Sequence, residues 1–204
     1  MNLIPRFYDA ASGQVLVDGT DVKEYSLDEL RDKTGVVPQK SVLFKGTLRD
    51  NMRWGKQDAS DEEIYRALDT AQAREFVDSK GEGLDLYIDQ GGHNLSGGQR
   101  QRLTIARALV RRPEILIMDD SASALDFATD ARLRKAIREN TGDMTVFIVS
   151  QRATTIKSAD TILVLDEGRL AGMGTHKELL KDCQVYREIC LSQLSKEEVE
   201  RDEQ

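Results

Sequence analysis

Ser96-Gly97-Gly98-Gln99 is the stretch of this chain best suited to chemistry on an anion. Serine is a good helix N-cap, and a glutamine three residues later completes a capping box. A helical pattern follows, with Leu103, Ile105, Ala106 and Leu109. Gly97 and Gly98 in the first turn let a ligand approach the backbone closely. The free amides there and the positive end of the helix dipole favour negative charge, so the chemistry suits a phosphate. On these four residues alone, a capped surface helix with two incidental glycines remains an alternative. The second candidate is Glu114-Ile115-Leu116-Ile117-Met118-Asp119-Asp120, an apolar run ending in paired carboxylates. Ligand sites of parallel sheets lie at the carboxyl ends of strands, where Asp119 and Asp120 would stand. A solvated loop or a helix N-cap is the ordinary alternative for two acids after a strand.

Taken whole, Asn94-Leu95-Ser96-Gly97-Gly98-Gln99-Arg100-Gln101-Arg102 with the acidic strand downstream is far more specific. It resembles the signature and Walker B motifs of the ATP-binding cassette (ABC) transporter nucleotide-binding domain, and Ser12-Gly13-Gln14-Val15, Phe44-Lys45-Gly46-Thr47 and Gly174-Thr175-His176-Lys177-Glu178-Leu179-Leu180 are similar to strings of the exporter type. The resemblance covers nearly all of the chain. It implies an α/β fold, a P-loop NTPase-like parallel sheet core with an inserted helical subdomain. In that family two cassettes face each other head to tail, and each ATP lies between the phosphate loop of one and the signature helix of the other. The implied cofactors are ATP and Mg²⁺. The implied partners are a second nucleotide-binding domain and the transmembrane domains of an exporter, at the cytoplasmic face of the membrane. By resemblance, Ser96, Gly97, Gly98 and Gln99 would meet a γ-phosphate held by the partner. Asp119 would support Mg²⁺, usually through water. Val37-Pro38-Gln39 is similar to the glutamine loop, with Gln39 reaching the metal or the attacking water. Ser123-Ala124-Leu125-Asp126 is similar to the D-loop, which contacts the opposite cassette. A cap by Asp126 on the following helix is compatible with that role.

Two positions depart from the family pattern. An active cassette normally has Glu after the Walker B aspartate, and this chain has Asp120. Aspartate is shorter by one carbon–carbon bond, roughly 1.5 Å. A misplacement of about 1 Å can cost on the order of 100-fold in rate, so Asp120 is expected to be a poor base. The switch histidine is replaced by Gln151 in Ile148-Val149-Ser150-Gln151-Arg152. An amide can donate to phosphate but carries no positive charge and shuttles no proton. The resemblance therefore implies the degenerate half of a heterodimeric exporter. The phosphate loop G-x-x-x-x-G-K-[ST] does not occur in the sequence, nor do the strands that would precede it. Its amides and lysine hold the β- and γ-phosphates, so negligible ATP affinity and low stability are expected of these residues alone. Either the chain is a piece of a longer transporter or it is a short protein without its own nucleotide cradle. The bare apolar stretch Met1–Tyr8, which reads as the latter part of a helix, favours the first.

The positioning elements follow from periodicity. Strands are expected at Gln14–Val17, Gly35–Val37, Ile115–Met118, Thr145–Val149 and Ile162–Leu165, with a turn and a further strand after Leu165. Helical patterns cover Leu27–Lys33, Glu62–Ala73, Gly97–Arg111, Ala128–Arg138 and Lys177–Lys181. Alternation of strands and helices in the second half argues for a parallel sheet. A partial nucleotide-binding domain is expected over 1–195, with a helical subdomain at roughly 47–112 and an acidic, frayed tail at 196–204. Thr175 and Glu178 in Gly174-Thr175-His176-Lys177-Glu178 form a second capping box, and His176 is expected on a surface helix rather than in catalysis.

Composition excludes other classes. The net charge is −7, and Glu197 to Gln204 supply −4 of it. The rest is mildly acidic, which argues against a nucleic-acid surface. No run approaches the ~20 apolar residues of a membrane span. Cys183 and Cys190 form no C-x-x-C pair, and His93 and His176 are far apart, so packing rather than a zinc site is expected. The rivals are a non-catalytic module that docks on a cassette partner and a cassette protein acting on nucleic acid.

Overall fold

Alternation before Asp18-Gly19 dictates a hairpin, and the computed structural model has one. Strand β1 (Leu16–Val17) pairs antiparallel with β2 (Thr20–Asp21). Asp18 and Gly19 take φ of 50° and 79°, the left-handed pair that a tight two-residue hairpin turn needs. The structure describes residues 1–203 other than 122 and 123. They fall into two compact units, Met1–Val149 and Ser150–Gln204.

In the first unit, helix α1 (Leu27–Lys33) is capped by Ser26 and buries Leu30. It runs into β3 (Thr34–Val37). Next come β4 (Gly46–Thr47), α2 (Leu48–Arg53), α3 (Asp61–Thr70), α4 (Arg74–Ser79) and β5 (Tyr87–Ile88). Strands β4 and β5 pair Gly46 with Ile88 and Thr47 with Tyr87, which ties together the two ends of the helical stretch. Then come α5 (Gly97–Leu109), β6 (Ile115–Asp119), α6 (Phe127–Asn140) and β7 (Thr145–Val149). Strand β6 is the middle of a parallel sheet ordered β3-β6-β7, as its unbroken apolar run requires.

One buried cluster joins sheet and helices, including Val37, Leu48, Ile64, Leu68, Leu103, Leu116 and Leu133. The helices at roughly 47–112, expected as a helical subdomain, share this buried cluster with the sheet. The opening residues form turns rather than an assigned helix. The Phe7 N–H donates to the Asn2 carbonyl at 2.9 Å, and the Arg6 N–H to the Leu3 carbonyl at 3.3 Å. With Arg6 at φ 52°, this is the bond pattern of a Schellman helix end.

The second unit holds α7 (Ala153–Ile156), the antiparallel hairpin β8 (Ile162–Asp166) and β9 (Arg169–Gly174), and helices α8 (His176–Asp182), α9 (Gln184–Gln193) and α10 (Lys196–Glu203). Two expectations are corrected here. The acidic stretch is not a frayed tail but α10, with Val199 1% exposed in the unit's core and Asp202 bonded to Lys157 at 3.3 Å. A single apolar residue in an acidic run is enough to seat one face, and the charges occupy the others. His176 is buried rather than at the surface. Its Nδ1 lies 2.8 Å from the Tyr186 hydroxyl and its Nε2 3.3 Å from Asp202. Both cysteines are free and buried. Among the described residues no helix is long and apolar enough to cross a membrane.

Candidate functional site

The sheet gathers the first group of candidates. Parallel register places Val37 beside Met118 and Asp119 beside Val149. Gln39, Asp119 and Asp120 therefore emerge at the carboxyl end of the sheet, where such folds bind ligands. The Asp120 N–H extends the ladder by donating to the Val149 carbonyl at 2.9 Å. Asp120 sits at φ 42°, a left-handed conformation that aspartate tolerates better than most residues. Gln39 Nε2 donates to Asp120 Oδ2 at 3.4 Å. Among the described residues no group of three or more His, Cys, Asp or Glu could hold a metal. Mg²⁺ takes one or two carboxylates and fills its sphere with waters and phosphate oxygens. The hard oxygen donors of Asp119 and Gln39 fit such an ion.

The second group lies at the start of α5. Ser96 accepts from the Gln99 N–H at 3.2 Å, and Gln99 Oε1 accepts from the Ser96 N–H at 2.9 Å. The capping box read from the sequence is therefore complete. Its character differs from the others. The boxes that start α2, α3 and α8 have Asp50, Glu63 and Glu178 at the third position. The first turn of α5 has no acid. The helix dipole there is left without a carboxylate to offset it, which suits an incoming anion. Ser96 and Gly97 are exposed, and Gly98 and Gln99 half-buried.

Neighbours that the sequence reading missed hold this helix end. Arg100 Nη1 donates to the Leu95 carbonyl at 2.6 Å, which pins the loop ahead of the motif. Gly92, at φ 71°, gives Arg100 its space, since a Cβ there would stand 2.7 Å from Arg100 Cδ. Arg102 Nη1 donates to the Gln72 carbonyl at 2.6 Å, and its guanidinium lies 5.0 Å from the centre of the Phe76 ring. Desolvation pulls the Arg102 guanidinium below its ordinary pKa, opposed by the charge of Asp126. Polar residues within an apolar helical stripe were the available signal for these anchors.

The D-loop residues meet the signature from the same chain. A Cβ on Gly98 would lie 3.3 Å from the Ala124 carbonyl oxygen. Asp126 caps α6 by accepting from the Thr129 N–H at 2.9 Å, and that hydrogen bond leads the causes that hold its carboxyl below the usual range. Ser123 lies outside the described residues. Gln151 is exposed at the start of the second unit, where its carbonyl accepts from Gln193 Nε2 at 2.7 Å. Gln193 Oε1 in turn accepts from the Ala153 N–H at 2.9 Å, so α9 fixes the backbone that carries Gln151.

Comparison with known proteins agrees with these motifs. The family profile described as ABC transporter matches residues 1–123. An uncharacterized ABC transporter ATP-binding protein of Mycobacterium tuberculosis is 47% identical over 196 residues, covering 95% of this chain and 33% of that protein. An ATP-dependent lipid A-core flippase of Desulfotalea psychrophila is 41% identical over 180 residues, covering 88% of this chain and 32% of that protein. The chain thus spans about a third of the length of the curated relatives it matches. The solved structure of a bacterial Atm1-family ABC exporter with ATP bound superposes with a TM-score of 0.91 at 38% identity, covering 96% of this chain and 34% of that one. On the profile match, these identities and the shared fold, the chain belongs to the ABC transporter family, as an ATP-binding domain of the exporter kind.

Proposed function

We propose that this chain is the degenerate ATP-binding half of a heterodimeric exporter, and that its signature helix completes the ATP site of its partner. The observation that carries this reading is the uncharged capping box at Ser96 and Gln99, the one such box without an acid in its first turn among the described helices. Ser96, Gly97, Gly98 and Gln99 would bind the γ-phosphate held by the partner cassette. In the chain's own site, Asp119 and Gln39 would hold Mg²⁺, which supplies charge neutralisation to the phosphates when bound. Asp120 would orient the attacking water and Gln151 would donate a hydrogen bond to the γ-phosphate. Asp126 would contact the opposite cassette. Binding and hydrolysis of ATP would drive transport through transmembrane domains, with this domain at the cytoplasmic face of the membrane.

The shortened carboxylate and the missing imidazole make this site the slow one. Asp120→Glu together with Gln151→His, in the full-length protein with its partner, is expected to raise turnover at this site by roughly 100-fold. Ser96→Arg is expected to abolish turnover at the partner's site, because it places a bulky side chain where the phosphate must lie. Steady-state ATP hydrolysis measures both. Unchanged turnover in the first variant and a harmless Ser96→Arg would together overturn the asymmetric model. A chain that binds its partner while Ser96→Arg leaves the partner's hydrolysis intact would be a docking module instead.

A further inference from the structure

The loop that follows β3 is gripped from α5. The Ser41 hydroxyl donates to Gln101 Oε1. Arg107 Nη2 donates to the Val42 carbonyl at 3.0 Å, and its guanidinium lies 5.7 Å from the centre of the Phe44 ring. At its far end the loop is locked to α2. The Phe44 N–H donates to Asn51 Oδ1 at 2.8 Å, and Asn51 Nδ2 returns a bond to the Phe44 carbonyl at 2.8 Å. Its near end is Gln39, whose bond to Asp120 is 3.4 Å long. That length is at the limit of a hydrogen bond, so a small displacement makes or breaks it.

Gln101 is an unusual choice for its position. It is 3% exposed, and its Nε2 has no partner among the described residues. Arg107 Nη1 is buried in the same state. Turning the amide over would satisfy Nε2 with the Ser41 oxygen and strand Oε1 instead, so one end stays unpaired either way. Native proteins seldom leave buried polar atoms unpaired, and each case calls for an account. Methionine would fill the same volume without that cost. An amide left half-satisfied between two elements has a free end with which to pair when they shift.

We infer that Gln101 is a positioning residue that couples the signature helix to the glutamine loop, so that nucleotide engaged at Ser96 changes the setting of Gln39 against Asp120. This rests on the reading that Ser96 and Asp120 serve different ATP molecules. Gln101 lies five residues after Ser96, about 7.5 Å along one rigid helix. A shift of the helix start therefore reaches the Ser41 contact directly, while Asn51 anchors the other end of the loop and leaves the Gln39 end to move. By linkage, the effect runs equally from Gln39 to the signature.

The test uses the full-length exporter assembled with its partner cassette. Vanadate traps nucleotide at the partner's site, and photolabelling with 8-azido-ATP reports affinity at the Asp120 site with and without trapping. In the parent protein, trapping is expected to change that affinity by about tenfold. Gln101→Met and Ser41→Ala are each expected to abolish the change and to leave the untrapped affinity as it was, while Ser41→Ala also lowers the thermal midpoint because both ends of the buried amide are then unpaired. A merely structural role would lower midpoint and affinity together. Persistence of the change in both variants, or its absence in the parent, overturns the inference. If Ser96→Arg leaves vanadate trapping intact, the reading of the signature itself falls, and the coupling falls with it.

Discussion

On the proposed function, Gln99 would serve structure and ligand at once. Its amide closes the capping box as a carboxylate would, but adds no negative charge where the phosphate would lie. Gln99→Glu should keep the box and, by placing a carboxylate in the first turn, raise the stability of the domain by about 0.3–1 kcal/mol. The same substitution places a like charge against the phosphate, which costs several kcal/mol when desolvated, so turnover at the partner's site should fall about tenfold or more. Thermal unfolding and ATP hydrolysis, measured side by side, separate the two effects. If hydrolysis is unaffected, Gln99 has no role beyond the cap. Asp120 carries the opposite lesson. Its type was legible in the sequence, but its left-handed backbone and its bond from Gln39 were not. The bond joins residues 81 apart in sequence, which the pairing of β3 with β6 brings together.

At the scale of elements, caps were the most legible feature. Ser96 with Gln99, Thr175 with Glu178, and Asp126 at the head of α6 all follow from local spacing. Helix α3 adds a box with a pH signature. Lys56 first, then the Ser60 backbone, hold the Glu63 carboxyl down to about 2 from an ordinary 4.5. A depressed carboxylate contributes stability that is complete above its unfolded pKa and lost as pH falls through the folded one. The contribution of Glu63 should therefore disappear between about 4.5 and 2. Acid unfolding followed by circular dichroism should be shallower in that window for Glu63→Gln. An identical acid profile would show that the bond does not persist in solution. Element boundaries were less legible. Helix α10 depends on what packs beneath it, as Val199 shows by turning an acidic run into a docked helix.

At the scale of the molecule, the first unit offers an exposed aromatic pair. Trp54 and Phe44 stand 4.9 Å apart between ring centres and are 68% and 40% exposed. A cleft of about 850 Å³ beside them is lined by residues including Asp32, Arg53, Lys56 and Arg111. On the proposed function, this face is the one we expect to meet transmembrane domains. Trp54→Ser should cost the domain about 1 kcal/mol or less, the worth of an aromatic pair, yet reduce recovery of the transmembrane part on co-purification. Equal recovery would move the contact elsewhere.

The sequence by itself determined the family, the parallel α/β class, the capped helix at Ser96, and the departures from the family pattern at Asp120 and Gln151. These are properties of residue type and short spacing, which a chain carries before it folds. Only the tertiary structure decided that Gln39 reaches Asp120, that Arg100 and Arg102 brace the signature, that Gln101 touches Ser41, and that His176 and Val199 are buried. Those contacts join residues brought together by sheet register and by the filling of a common core, and no local pattern encodes which distant partner will arrive.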